Sequence, residues 1–486
     1  MRQPKAELRA RVNGQLTLRY ERTGLTSYAG LEFVRRWLHR DGVVALLRRE
    51  LATALPRTDY GVLGLVLVVL ALVLSGGRRL RHLRYLDGDP IVLRFCGLRQ
   101  LPTARTVGRW LAAFRGRHLL RLQGVNARVV ARVIRQTGQR RLTIDVDGSV
   151  VSTGLQVAWA QRGFNPHRRK VPSYYPITAY EAQSGQVLRV QNRPGNIHDG
   201  KAALPFLRAL LRQLRATLGT VRLEFRMDGA FFRREILALL ARAGAEYAIK
   251  VPFYPWVGLK ALVRGTRTWS RVSATVSCAE HDVEVAPWGQ RHRIVVYRAR
   301  VQHETAKNFQ LNLFDPSDGH YEYSAVVTNK GIGGPALWVF MCGRGIHEKV
   351  YGELKSGFAF ACVPTMQYAA NSAWQLLTVL AFNLSRSFQL GDDGPPPRAV
   401  RETPRPLRLR DDSHAPGALF PARGCPDNAP GPRHPRCRSR PRRCRALRAP
   451  RPALGGVIFC HIKVNKSSRA LCEPRSWRVS GGCSAR

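Results

Sequence analysis

Three acidic residues occupy positions from which a fold could use them for phosphate chemistry. Asp147 and Asp228 each end a strand-like run, and Glu348 lies in a segment of helical character. Two strand-end carboxylates and a helix-borne glutamate can hold two divalent metal ions, which activate the attacking oxygen and stabilise the leaving one. Oxygen ligands suit the hard ion Mg²⁺. The three acids therefore predict metal-dependent phosphoryl transfer. Asp145 is an alternative first ligand, because it shares a strand face with Asp147.

The segment around Glu348 carries a charged helical face. Steps of four, three and four residues place Arg344, Glu348, Tyr351 and Lys355 on one side of a helix. A carboxylate between two cations could serve a metal ion and bind phosphates beside it. The alternative is a solvated face whose Arg–Glu pair contributes only a few tenths of a kcal/mol. Spacing alone favours this second interpretation.

The charge of the chain indicates a polyanionic partner. The formal net charge is +47 over 486 residues, and the sequence pI is about 11.3. A GC-rich gene could explain why arginine exceeds lysine, but it does not explain the shortage of acids. Nucleic acid is therefore the expected partner, and its backbone the expected substrate.

Secretion and membrane insertion are not expected from the sequence. Residues 1–12 are charged and lack the apolar stretch of a signal peptide. The longest apolar run, 61–74, is shorter than the roughly 20 residues that cross a bilayer. The cysteines before residue 391 fit a reduced protein. We expect a cytoplasmic protein with no membrane association.

The first 135 residues read as a helical, basic DNA-binding region. A short helix over 89–96, a turn and a helix capped by Thr103 give the outline of a helix-turn-helix. Arg105 and Arg109 would face away from the apolar stripe of the second helix and could contact DNA. Packing of two helices in a core is an equally good explanation of this pattern.

The rest of the chain divides by its periodicity. Residues 140–251 alternate strands and helices and predict an α/β core with a mixed sheet. Residues 252–335 read as a β-rich insertion, and 336–390 as helices that complete the core with the third acid. Residues 391–486 hold 15 of the 30 prolines, 21 basic and 7 acidic residues, and predict a disordered Arg/Pro-rich tail.

Several motifs resemble one family of enzymes. Arg344, Glu348 and Lys355 match the Arg-x3-Glu-x6-Lys part of the Tyr-Arg-Glu-Lys signature of DDE transposases from bacterial insertion sequences. Segments 353–357 and 371–377 resemble the insertion sequence thirteen-eighty family within that group. Segments 145–149 and 226–231 resemble its first-acid and second-acid motifs. Further similar stretches of the catalytic core lie at 164–168, 173–176 and 193–196.

The resemblance implies a ribonuclease-H-like fold with a β insertion between the second aspartate and the glutamate. It implies cutting and joining of double-stranded DNA at terminal inverted repeats by two Mg²⁺ ions, for which Mn²⁺ can substitute. Asp147, Asp228 and Glu348 would be the metal ligands, and Arg344 and Lys355 would contact end phosphates. A homodimer in the end complex and a place at the bacterial nucleoid are further expectations.

The chain departs from the family pattern at three positions. Met341 stands where the signature has tyrosine, a role that Tyr174, Tyr175 or Tyr351 could take over. Two small residues also replace the polar ones usual beside the first two acids: Gly148 and Ala230. These departures and the abrupt change of composition near residue 394 leave two alternatives. One is an inactive, frameshifted remnant that only binds DNA, and the other is a nuclease with the same fold.

Overall fold

The computed structural model describes residues 26–154, 156–163, 165, 168, 170–197, 199–300 and 321–392. The predicted disordered tail lies outside the described residues from 393 onward, together with its six cysteines.

Helices form the described chain from residue 26 to 136, as the sequence predicts. They are α1 (Gly30–Arg40), α2 (Val43–Leu51), α3 (Val62–Leu74), a 3₁₀ turn (Leu80–Tyr85), α4 (Pro90–Cys96), α5 (Ala104–Ala112) and α6 (Gly116–Gln136). The predicted cap of α5 is confirmed, because the Thr106 amide donates to Thr103 Oγ1 at 3.2 Å. Arg105 and Arg109 are exposed, while Trp110 is buried.

Strands and helices alternate in the following part. They are β1 (Arg141–Gly148), β2 (Val151–Ser152), β3 (Ser173–Tyr174), β4 (Ile177–Glu181), β5 (Gln186–Gln191), α7 (Asp199–Leu218), β6 (Arg222–Met227), a 3₁₀ turn (Gly229–Phe231), α8 (Arg234–Arg242) and β7 (Glu246–Val251). The predicted hairpin between β4 and β5 is confirmed, and Gly185 takes the left-handed conformation there, with φ of 73°.

The remaining described elements are a 3₁₀ turn (Pro255–Val257), α9 (Leu259–Gly265), β8 (Ser270–Arg271), β9 (Val276–Val285), a 3₁₀ turn (Ala286–Trp288), β10 (Gln290–Arg300), β11 (Tyr321–Thr328), α10 (Gly334–Cys342), α11 (Gly345–Gly357) and α12 (Tyr368–Asp392). No helix of the described chain is long and apolar enough to cross a membrane.

The described strands include nine that form one mixed sheet in the order β5-β4-β1-β6-β7-β11-β10-β9-β8. Strands β5, β4 and β1 are antiparallel, whereas β6 and β7 run parallel to β1. This is the strand arrangement of a ribonuclease-H-like core, so the predicted fold class is confirmed. Strands β11, β10, β9 and β8 continue the sheet from β7. The strands of the β-rich segment therefore join the core sheet instead of forming a separate one.

The last described helix connects the helical region to the nine-stranded sheet. The helix α12 packs on α3, α5, α6 and β5. Its Trp374 and Leu377 are fully buried in one apolar cluster with Leu70 and Phe114. A second cluster lies against the sheet and contains Phe206 of α7 and Phe225 of β6. The described helices before residue 137 thus share a core with the last described helix.

The segment 336–354, where the sequence predicts helical structure, contains two helices, α10 and α11, with Gly343 and Arg344 between them. A Cβ at position 343 would lie 2.1 Å from Nη1 of Arg226, so glycine allows the guanidinium to approach the main chain at this break. Residues 156–160, whose sequence is strand-like, are irregular.

Candidate active site

The first two predicted acids lie side by side at one edge of the sheet. Val146 pairs with Met227 in the parallel ladder of β1 and β6, and Asp147 and Asp228 follow directly. Met227 in turn pairs with Ile249 of β7. Carboxyl ends of parallel strands share an edge, so the local sequence of each strand sets these side chains in one row.

Each of the two carboxylates is fixed by its own main chain. Asp147 Oδ1 accepts from the Gly148 amide at 2.8 Å, and Asp228 Oδ1 accepts from the Ala230 amide at 3.0 Å. The same Asp228 bond caps the 3₁₀ turn that follows β6. Both Oδ2 atoms instead face a single cation.

That cation is Arg344, at the break between α10 and α11. Its Nη1 lies 3.7 Å from Asp147 Oδ2, and its Nη2 lies 3.6 Å from Asp228 Oδ2. The guanidinium is 13% exposed, so this contact is largely shielded from solvent. The predicted Arg344, Asp147 and Asp228 are therefore brought together.

The electrostatics of Asp147 reflect this crowding. Burial raises the pKa of Asp147 to about 7, Arg344 acts to lower it, and Asp228 and Asp199 raise it further. A carboxylate that is costly to ionise alone gains most from an added cation, because a nearby positive charge stabilises its charged form.

Asp145, the alternative first ligand, is occupied elsewhere. Arg226 donates from Nε and Nη2 to its two carboxylate oxygens at 2.6 and 2.8 Å. Arg226 Nη1 also donates to the Phe340 carbonyl at 2.9 Å, which connects β6 to α10. Burial raises the pKa of Asp145 to about 6 against the opposing effect of Arg226. Both side chains are buried, so Asp145 has a structural partner inside the protein.

Glu348 is not in contact with the two aspartates. It lies in the first turn of α11 and is exposed. Within the described ranges, no three His, Cys, Asp or Glu side chains are close enough together to hold a metal ion. The structure thus brings two of the three predicted acids together and leaves Glu348 on the adjacent helix.

Two lysines surround the acids. Lys355, a predicted DNA contact, has its Nζ 5.8 Å from the Tyr351 ring centroid. Burial lowers the pKa of Lys355 to about 8, and Asp147 acts against this decrease.

Lys250 follows Ile249 on β7 and so lies next to Asp228 in the row. Burial and then Arg344 lower the pKa of Lys250, while Asp228 and Glu348 raise it. Lys250 is not among the site residues predicted from the sequence, although its place near the end of a predicted strand could have indicated it.

A model of one protein family matches most of the chain. The model described as "Transposase DDE domain group 1" matches residues 9–409. The chain belongs to the DDE transposase family.

A solved structure is also similar. It is described as "Cryo-EM structure of piggyBac transposase synaptic complex with hairpin DNA (SNHP)", with 9% sequence identity and a TM-score of 0.41. The similarity covers 74% of this chain and 74% of that one. No curated protein matches the chain significantly.

The tyrosines that could replace the signature tyrosine have other partners. Tyr174 donates to the Ala158 carbonyl at 2.7 Å, and Tyr351 donates to the Asp147 carbonyl at 2.8 Å. The hydroxyl of Tyr175 pairs with Asp199. Met341 itself packs in an apolar cluster of the sheet. The side chain at position 341 is thus part of a core.

Asp199 is a further acid that sequence reasoning did not identify. It begins α7 and forms a buried ion pair with Arg193. An added Cβ at Gly148 would lie 2.6 and 2.8 Å from the Asp199 carboxylate oxygens and 2.8 Å from Tyr175 Cε1. The small residue beside the first acid is therefore explained by space, because the Asp199 carboxylate fills the volume that a larger residue would need.

We expect Gly148→Ala to destabilise the protein by about 1–3 kcal/mol, because overpacking must displace a buried, ion-paired carboxylate. Chemical denaturation measures this change. Gly124→Ala in α6 is the matched control, since nothing lies within 4 Å of its added Cβ. The control should stabilise the helix by about 0.5–1 kcal/mol. Equal stabilities of the two variants would contradict the packing argument.

Proposed function

We propose that this chain is an active transposase of the insertion sequence thirteen-eighty family. It would bind the terminal inverted repeats of its element as a dimer on double-stranded DNA, and cut and join DNA strands. The observation that carries the proposal is the convergence of Asp147 Oδ2 and Asp228 Oδ2 on one point at the ends of two parallel strands. A metal-dependent phosphoryl transferase needs such a pair of ligands.

The donor chemistry fits divalent metal ions, and Mg²⁺ in particular. Both aspartates offer an oxygen that no main-chain amide occupies, and the guanidinium between them marks a place where positive charge is stabilised. Asp147, Asp228 and Glu348 would hold two Mg²⁺ ions, or Mn²⁺ in their place. Such ions supply charge neutralisation at the phosphate and activation of the attacking oxygen.

Residues of the chain orient the two aspartate carboxylates and would bind the phosphates of the DNA. The amides of Gly148 and Ala230 keep the Oδ1 atoms in place, so the Oδ2 atoms do not need to reorient when a ligand arrives. Arg344, Lys250 and Lys355 form a cationic border around the acids, which suits the phosphates flanking a scissile bond. Arg105 and Arg109 on α5 would contact DNA at a distance from the chemistry.

The direct test is cleavage of a labelled duplex that carries the repeats flanking the gene. The wild type should cut it only in the presence of Mg²⁺ or Mn²⁺. A chain that binds the duplex without cutting it would support the inactive remnant, for which Met341 and the change of composition near residue 394 are the supporting features. Absence of inverted repeats around the gene, together with cleavage of unrelated duplexes, would support a nuclease.

Arg344→Ala and Lys355→Ala should each weaken binding to the end duplex and lower the salt slope of log K by about 0.9, the value of one phosphate contact. Fluorescence anisotropy over a range of salt concentrations measures both quantities. Arg242→Ala is the control, because Arg242 is an exposed arginine at the end of α8. If all three variants behave alike, Arg344 and Lys355 do not contact the phosphates of the end duplex.

A further inference from the structure

A chain of buried hydrogen bonds connects helix α11 to the strand that carries the first acid. Thr178 Oγ1 of β4 lies 2.8 Å from His347 Nε2 and 2.7 Å from the Tyr351 hydroxyl. The Tyr351 hydroxyl lies 2.8 Å from the main-chain oxygen of Asp147. His347, Thr178 and Tyr351 are all buried. We call this set the Tyr351 relay.

The direction of the Tyr351 relay follows from the number of hydrogens available. The Asp147 carbonyl can only accept, so the Tyr351 hydroxyl donates to it. Thr178 must then donate its single hydrogen to Tyr351. His347 Nε2–H is therefore the donor to Thr178. The relay runs in one direction and ends at the residue whose side chain is the proposed first ligand.

Stacked aromatic rings also hold helix α11 against strand β4. The His347 ring stacks on Tyr351 with centroids 4.9 Å apart and on Tyr180 of β4 with centroids 5.5 Å apart. His347 and Tyr351 are one helical turn apart, so two points on one face of α11 are fixed to the sheet. Fixing two points sets the rotation of the helix about its axis. Glu348 follows His347 directly, so its direction is set by the same contacts.

We propose that Tyr351 is a positioning residue, which fixes α11 against β1 so that Glu348 and Asp147 keep a set relative position for metal binding. The inference rests on the proposed function, because it assigns Glu348 to the metal site. Tyr351 does not touch the ion. It acts through the Asp147 main chain on one side and through the helix on the other.

The test is direct binding of Mn²⁺ to the full chain, measured by isothermal titration calorimetry. Tyr351→Phe and Thr178→Val remove the relay with little change of shape. Each should weaken Mn²⁺ binding by about 10-fold or more, the effect typical of losing a partner that orients a ligand. Thr178→Ser keeps the hydroxyl and should restore the wild-type affinity.

Tyr297→Phe is the matched control. The Tyr297 hydroxyl donates to the Gly334 carbonyl at 2.8 Å, and the residue is buried in a different cluster. Both Tyr→Phe variants should lower the melting temperature, because each loses a buried bond to a carbonyl. Only Tyr351→Phe should change the affinity for Mn²⁺.

The outcomes separate this inference from the proposed function. Wild-type Mn²⁺ affinity in Tyr351→Phe, or an equal loss in Tyr297→Phe, would overturn the positioning role while leaving DNA cleavage by the wild type intact. A wild type that binds Mn²⁺ but does not cut DNA would overturn the proposed function, and the affinities of the variants would still decide the role of Tyr351. No Mn²⁺ binding by the wild type would overturn both.

Discussion

Asp147→Asn and Asp228→Asn are each expected to slow metal-dependent strand cleavage by at least about 1,000-fold, since bound metal contributes several kcal/mol of transition-state stabilisation. An asparagine keeps the size of the side chain and its Oδ1 acceptor, so the bonds from the Gly148 and Ala230 amides can persist. What is lost is the negative charge on the oxygen that faces Arg344. Glu348→Gln should have a comparable effect, because Glu348 is the proposed third metal ligand.

The measurement is single-turnover cleavage of the end duplex at saturating protein. Ligands of one metal pair act as a unit, so the double variant should be hardly slower than either single one. DNA affinity should remain within a few-fold of wild type, because a carboxylate does not attract phosphates. Cleavage at the wild-type rate by any one variant would remove that residue from the proposed site.

The second large effect concerns Asp145, only two residues from Asp147. Asp145→Ala should lower the free energy of unfolding by about 3–5 kcal/mol, because it leaves the Arg226 guanidinium buried and unpaired. Both partners are buried, with side chains 6% and 0% exposed. The same change would loosen the connection from β6 to the end of α10.

Urea denaturation measures this effect, and the chain contains its own control. Arg291 and Asp282 form an ion pair at 2.8 Å, with side chains 62% and 61% exposed. Asp282→Ala should therefore change stability by no more than about 1 kcal/mol. Asp147→Asn should also unfold close to wild type. If Asp145→Ala is as stable as Asp282→Ala, burial of the Asp145–Arg226 pair does not make its loss more costly.

Local sequence predicted most elements because their signals are local. The period of two in β4 and β5, the glycine between them and the threonine cap of α5 each depend on a few neighbouring residues. The mixed α/β class followed from the order of these elements, and the ribonuclease-H-like fold was implied by the family resemblance. Asp147 and Asp228 were placed correctly at strand ends because parallel strands of an α/β core align their carboxyl ends.

The parts that could not be predicted depend on contacts distant in sequence. At the break before α11, Gly343 lies against Arg226, which is more than a hundred residues earlier in the chain. The same arginine donates hydrogen bonds to Asp145, and this pairing also depends on residues far apart in sequence. Periodicity cannot show that a strand-like segment extends an existing sheet, and so the pairing of β11 with β7 was not foreseen.

The continuity of the sheet has a mechanical consequence. Strand β6, which ends at Asp228, and the hairpin of β9 and β10 belong to one hydrogen-bonded array with β7 and β11 between them. Neighbouring strands are about 4.8 Å apart, so β9 lies about 19 Å from the strand of the second acid. The hydrogen-bonded strands between them therefore hold the β9–β10 hairpin at a fixed distance from the edge that carries the second acid.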